Sequence, residues 1–482
     1  MHKLAELDRR YVWHPFTQMK DWARREPIVI TSARGAILRD AHGREYLDAN
    51  SSIWTNLHGH NHPKVNATIV RQLKKVAHSS ALGLANEPAS ILAAKLVKAA
   101  GIRDSRNARH ERKSRATRQS PITDRQLSKV FFSDDGSTAM EVALKLAYEF
   151  TRRSGRSRRP RFLSLAGAYH GDTVGAVSLG HIDRFHRAYS GLLFKSDPAM
   201  SPCCYRCPFN QAKPERRDAR DDARCHRECI SLVEAKFAKQ RQRGNPYAAF
   251  VIEPLMQGAA GMIAQPEGYL REVAEIVRTD GALLIADEVM TGFGRTGPLF
   301  ACHAEHVQPD LLALAKGMTG GYLPMAATLT TQAIFDAFLG GYAEFKTFFH
   351  GHSYTGNQLG AAASLASLEL LQSRQSIAAR AKLERILRAS LKPLWSLPNV
   401  GDIRQVGVVA GIELVRNWRT REPFLPRERA GLRVCEAMAR RGVLTRPVGD
   451  VVAILPPYCT TPTQMKQMVN ALHESIAEIL GQ

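Results

Sequence analysis

No stretch of this 482-residue chain stays apolar for long enough to cross a bilayer, which excludes a helical membrane protein. The opening residues, 1–16, also lack the apolar core of a secretory leader and carry Lys3, Glu6, Asp8, Arg9 and Arg10 instead. The expected location is therefore the cytoplasm, where the eight cysteines are expected as thiols or metal ligands rather than disulfides. No internal repeat is visible. Acidic residues are scarce beside basic ones, 45 against 67, leaving a net charge of +22. Such an excess raises the question of a nucleic-acid partner. Most of it, however, sits in three segments, 103–126, 152–161 and 206–243, none of which interleaves aromatic side chains on which bases could stack. Solvated surface loops fit better, and no nucleic-acid partner is expected.

What the chain does have is 44% hydrophobic residues, enough for a large core in more than one domain. Short apolar runs at 129–133, 161–165, 249–252, 282–286 and 311–315 each stop at a polar or glycine-rich turn, with helical patterns between them. That alternation predicts an α/β protein with a mainly parallel central sheet. Ala139, Val142, Ala143, Leu146, Ala147 and Phe150 share one face of the helix expected after the first run. The division expected is a segment 1–60 packing with a small domain, a large domain 61–340, and a small α/β domain 341–482. The segment 103–126 has no apolar face and is expected to be a disordered insertion.

The strand ends carry the chemistry. They lead into the turn 135–137, Tyr169, Glu253, Asp287 and Lys316, all on the sheet edge where α/β proteins bind ligands. Pyridoxal phosphate needs a lysine amine to hold it as a Schiff base, a carboxylate to keep its pyridine nitrogen protonated, and donors for its phosphate. Lys316 after LLALA, Asp287 after LLIA, and Gly136 with Ser137 at a helix start meet those needs. Tyr169 in GAYHGD offers a ring to stack on the pyridine. Taken singly, each residue has a plainer explanation: a helix cap for Asp287, a surface lysine for Lys316, a turn and cap for Gly136 and Ser137. Their joint occurrence at strand ends favours the cofactor reading.

The motifs SSIWTNLHGHNHP, DDGSTAMEVALK, GAYHGDTVGAVS, IADEVMTGFGRTG, AKGMTGGYLP and FFHGHSYTGNQ make the chain resemble the class-III aminotransferases of fold type I. WHPFTQM near the start and TRPVGDVVAILPPY near the end are similar to the biotin-synthesis branch of that family. The resemblance implies a pyridoxal 5′-phosphate enzyme in which Lys316 holds the cofactor and moves a proton as general base and acid. It also implies that Asp287 pairs with the ring nitrogen, that Gly136 and Ser137 hold the phosphate, and that Tyr169 stacks on the ring. His352 and Ser353 would reach the phosphate of a second subunit in a homodimer. Phe16, Ile53, Trp54, Tyr169, Gly351 and Arg446 would shape the substrate pocket, Arg446 taking a carboxylate in its planar fork.

The implied reaction moves an amino group to 8-amino-7-oxononanoate, giving 7,8-diaminononanoate. Phe16 stands where many relatives have Tyr, and Ile53-Trp54 where many have Trp-Trp. Both positions leave the donor open between S-adenosylmethionine, the usual one and the one favoured here, and lysine. Another ω-amino acid aminotransferase is the alternative within the class. Outside it, the spacing of Cys204, Cys207, Cys225 and Cys229 is compatible with a zinc knot, and with the basic segments could build a zinc-containing nucleic-acid-binding protein. A cysteine-rich loop that binds nothing is the plainer expectation.

Overall fold

The computed structural model describes residues 2–102, 124–209 and 225–481, so nearly all of the expected insertion at 103–126 lies outside the described residues. A seven-stranded sheet crosses the centre. Its strands lie in the order Leu127–Ser133, Ala326–Thr331, Leu311–Leu314, Leu283–Asp287, Tyr247–Ile252, Arg161–Leu165 and Asp197–Ala199. The last five pair in parallel, whereas Ala326–Thr331 runs antiparallel to both of its neighbours. All five strands expected from the sequence are present. Ala326–Thr331 and Asp197–Ala199 escaped the sequence reading.

Every residue of Tyr247–Ile252 and Leu283–Asp287 is buried, which is why these strands read as unbroken apolar runs: helices cover both faces. Alternate side chains serve opposite cores. Leu283 and Ile285 join Ala139, Val142 and Leu146 of the helix Gly136–Arg153, while Leu284 and Ala286 join Leu270, Val273 and Val277 of the helix Tyr269–Asp280. The helix Gly136–Arg153 starts where Asp135 accepts the Thr138 N–H at 2.8 Å and Thr138 Oγ1 accepts the Asp135 N–H at 2.9 Å. This reciprocal cap satisfies backbone donors that the helix itself cannot, and it holds the start of the helix at the sheet edge.

Two four-stranded sheets flank this centre. In one, Ile30–Arg34, Ile37–Asp40 and Glu45–Asp48 are completed by Val443–Leu444, which pairs parallel to Glu45–Asp48. Strands from opposite ends of the chain thus share a sheet. The pairing delivers the next residues, Ser51–Trp54, to the edge of the central sheet. All four have left-handed φ, between 46° and 70°, a conformation unusual away from glycine. Asp48 accepts both the N–H and the hydroxyl of Ser52, at 3.1 and 3.0 Å, and so holds the turn. No helix among the described residues is long and apolar enough to cross a membrane.

Candidate active site

At the carboxyl ends of the central strands lies a cleft of about 710 Å³, lined by Trp54, Gly136, Ser137, Tyr169, Asp287 and Lys316 among others. Six of the expected residues are therefore brought together from five separate parts of the chain.

Lys316 follows the strand Leu311–Leu314 with φ 34°, in the left-handed region where a non-glycine residue is strained. Its side chain is half-buried in the wall of the cleft. Burial lowers its pKa, with Asp287, Glu253 and Asp135 acting in the opposite sense. The indole of Trp54, steadied by a 2.8 Å bond from Nε1 to Asn50 Oδ1, lies 5.1 Å from Lys316 Nζ.

Asp287 closes the strand Leu283–Asp287. One carboxylate oxygen accepts the Val289 N–H at 3.0 Å, and the other lies 2.7 Å from His170 Nδ1. Burial pulls the His170 pKa down, but the bond to Asp287 and the charges of Asp287 and Glu253 outweigh it and leave the pKa raised. Glu253, at the end of the neighbouring strand, lines the same cleft. Its carboxylate accepts the Gly258 N–H at 2.8 Å, and burial pushes its pKa up to about 7.

The helix start forms the opposite wall. A Cβ on Gly136 would sit 2.6 Å from Val289 Cγ1, and one on Gly171 would sit 2.3 Å from Ser137 Oγ, so the backbone approaches closely only because both are glycine. Ser137 Oγ lies 2.9 Å from Thr173 Oγ1 and also accepts the Thr173 N–H. Tyr169 donates its hydroxyl to Asp172 at 2.6 Å and lies against His186 with its ring nearly parallel.

Phe16 and Arg446 are not in this cleft. They line a second one, of about 1070 Å³, with Phe424, Arg184 and Asp450. Phe185 stands between the two, its ring centroid 6.2 Å from Tyr169 and 5.3 Å from Phe16. Ile53 is exposed and lines neither cleft, and the same holds for Gly351. His352 Nδ1 lies 2.7 Å from Asp134, which does line the first cleft, and the Ser353 carbonyl accepts from His78. Neither His352 nor Ser353 lines the cleft of its own chain.

His170, Thr173 and Phe185 were not singled out from the sequence, and Glu253 was named at a strand end without a role. His170 stands inside GAYHGD and Glu253 ends a strand, so position offered a signal for both; Phe185 offered none. Among the described residues no group of three or more His, Cys, Asp or Glu is arranged to hold a metal ion. Cys204, Cys207 and Cys225 do lie near Cys229, whose thiol is pushed up to about 11 by burial and then by these neighbours.

The chain belongs to the class-III aminotransferases, whose family model matches residues 19–476. It is 44% identical over 99% of its length to the adenosylmethionine-8-amino-7-oxononanoate aminotransferase of Geobacter sulfurreducens, covering 98% of that protein. It is 46% identical to the protein of that name from Nitratidesulfovibrio vulgaris, over 99% of this chain and 82% of the relative. The crystal structure of the Methanocaldococcus jannaschii protein of the same name superposes with a TM-score of 0.86 at 37% identity, over 98% of both chains. An amine transaminase of an uncultivated Pseudomonas species, solved with pyridoxal phosphate bound, gives 0.85 at 32% identity over 97% of this chain and 98% of that one. The α/β architecture is thus the fold type I arrangement the motifs implied, and the enzyme is an aminotransferase that works with pyridoxal 5′-phosphate. The residues fit that cofactor: an amine in the cleft wall with a pKa lowered by desolvation, a buried carboxylate with a histidine behind it, and a helix start kept open by two glycines.

Proposed function

We propose that this enzyme transfers an amino group from S-adenosylmethionine to 8-amino-7-oxononanoate, forming 7,8-diaminononanoate for biotin synthesis in the cytoplasm. The observation that carries the reading is the second cleft. Arg446 lines it without an ion pair among the described residues, whereas Arg25, Arg429 and Arg440 around it are matched by Glu436, Asp21 and Glu478. An unmatched guanidinium in a second cleft, set off from the first by Phe185 packed between Tyr169 and Phe16, suits a long acceptor with its carbonyl at Lys316 and its carboxylate at Arg446. The proteins from Geobacter and Nitratidesulfovibrio support the same substrate by name.

When bound, pyridoxal phosphate supplies an electron sink that lets an amino group leave one carbon and be carried to another. Lys316 would hold it and, once released by the incoming amine, its Nζ, with a lowered pKa, would take a proton from the substrate carbon and return it on the other side of the transfer. Asp287 stands ready for the ring nitrogen, held by His170. The N–H groups at Gly136 and Ser137 and the helix dipole meet the phosphate. Tyr169 would stack on the ring, and the Trp54 indole stands 5.1 Å from Lys316 Nζ.

A homodimer completes this reading, with His352 and Ser353 serving the partner's site. Support comes from Tyr342, Phe345, Phe349 and Tyr354, which are 99%, 70%, 72% and 62% exposed, an apolar surface for a second copy to cover.

The test is a single-turnover experiment on the holoenzyme with S-adenosylmethionine or lysine alone, followed by addition of 8-amino-7-oxononanoate. Loss of the visible band with S-adenosylmethionine, and its return with the acceptor, is the expected result. Reaction with lysine alone moves the donor assignment, and no product with either donor overturns the reading.

A further inference from the structure

The pair His170–Asp287 leaves one atom unexplained. His170 Nδ1 is engaged with Asp287 at 2.7 Å, but Nε2 is buried and has no hydrogen-bond partner among the described residues. A buried imidazole nitrogen without a partner is costly in either protonation state, as an unmet donor or an unmet acceptor. Glu253 is the further carboxylate whose charge reaches it. Oε2 of Glu253 is taken by the Gly258 N–H at 2.8 Å, whereas Oε1 has only a long 3.5 Å contact from the N–H of Tyr169, the residue next to His170. Glu253 is 6% exposed and lines the cleft that holds Lys316 and Asp287.

We propose that Glu253 is a positioning residue that, through His170, sets how firmly Asp287 holds the proton on the cofactor's ring nitrogen. With Glu253 ionised, His170 keeps two protons, and Asp287 divides its charge between the imidazolium and the ring. Without the Glu253 charge the second proton on His170 is lost, the imidazole is neutral and Asp287 turns its full charge on the ring nitrogen. The groups facing the His170–Glu253 pair are Asp287, Lys316 and Asp135 on the cleft side and His181 and His186 behind it. The two histidines are held neutral by burial and compete weakly for the proton. The proposal rests on pyridoxal phosphate sitting on Lys316 and Asp287.

The experiment is a pH titration of the visible absorbance of the holoenzyme, wild type against Glu253→Gln. Removing one buried negative charge disfavours the cations it faces, so the midpoint falls by about one pH unit, a roughly tenfold shift in the proton equilibrium. Glu253→Asp recovers most of that shift. A folded Glu253→Gln holoenzyme that titrates at the wild-type midpoint overturns the proposal and leaves Glu253 as a tether for the Gly258 backbone. Should Glu253→Gln not fold, nitrogen-15 signals of His170 in the wild-type holoenzyme decide, assigned by their loss in His170→Asn. Two protons on His170 at low pH, one of them lost as the band shifts, supports the proposal; a neutral imidazole throughout about pH 5.5 to 9 overturns it. A visible band that survives Lys316→Ala would instead sink the underlying site assignment, whatever Glu253 does.

Discussion

His170 Nδ1 lies 2.7 Å from Asp287 Oδ2, with the imidazole wholly shielded from solvent and the carboxylate nearly so. Asp287→Asn preserves the volume and removes the charge proposed to pair with the ring nitrogen. Turnover is expected to fall by on the order of 10²–10³-fold, the scale on which a preorganised electrostatic contact acts. Steady-state rates with cofactor occupancy measured in parallel check this. A full complement of bound cofactor at wild-type turnover would contradict it.

Gly136 offers a steric test that involves no charge. Gly136→Ala puts a methyl group 2.6 Å from Val289 Cγ1, so the helix start must withdraw from the cleft. The expected cost is about 1–3 kcal/mol, felt where the phosphate is held. Cofactor loss on dialysis should be faster than in wild type, with a shift in unfolding temperature that excess pyridoxal phosphate partly restores.

His58 carries a prediction about acid stability. Burial, then His62, Arg380 and Arg295, lower its pKa to about 3. The unfolded chain therefore takes up a proton near pH 6.5 that the folded one refuses, and this part of the stability is lost as the pH falls from 6.5 towards 3. The slope is about 1.4 kcal/mol per pH unit for one proton. His58→Gln gives up the 2.9 Å contact with Ser367 and is less stable at pH 7, yet its further loss between pH 7 and pH 4 should be smaller than in wild type. Urea unfolding at both pH values reads the difference, and equal losses in the two proteins would contradict the assignment.

Arg446→Leu separates the two halves of the reaction. Its guanidinium stands in the second cleft, away from Lys316. The KM for 8-amino-7-oxononanoate should rise by about 10–100-fold, as expected when a charged hydrogen bond of roughly 1.5–3 kcal/mol is lost. Absorbance changes with the donor alone should remain near wild type.

That Asp287, Lys316 and Ser137 share one cleft was legible because each stands at the end of an apolar run or at the helix start that follows one. Asp287 and Lys316 stand where LLIA and LLALA stop, and Ser137 stands at a helix start. The support behind them was not, because it is made by contacts between distant segments: His170 and Asp287 are 117 residues apart, and Phe185 meets Phe16 only in the folded chain. Arg446 was named from its motif, but its placement in a cleft of its own depends on strands from both chain ends sharing a sheet. The strand Ala326–Thr331 was missed because AATLTT is buried without being strongly apolar. Its Thr328 hydroxyl is satisfied by the Ala139 carbonyl at 2.8 Å, a partner that no local pattern reveals.

Everything proposed for this enzyme turns on which amine holds the cofactor. Borohydride reduction of the holoenzyme fixes pyridoxal phosphate to that amine, and peptide mass mapping then reads its position. The account predicts the added mass on the peptide containing Lys316, and none in Lys316→Ala. The same mass on another lysine, or no covalent attachment in a fully loaded enzyme, would contradict it.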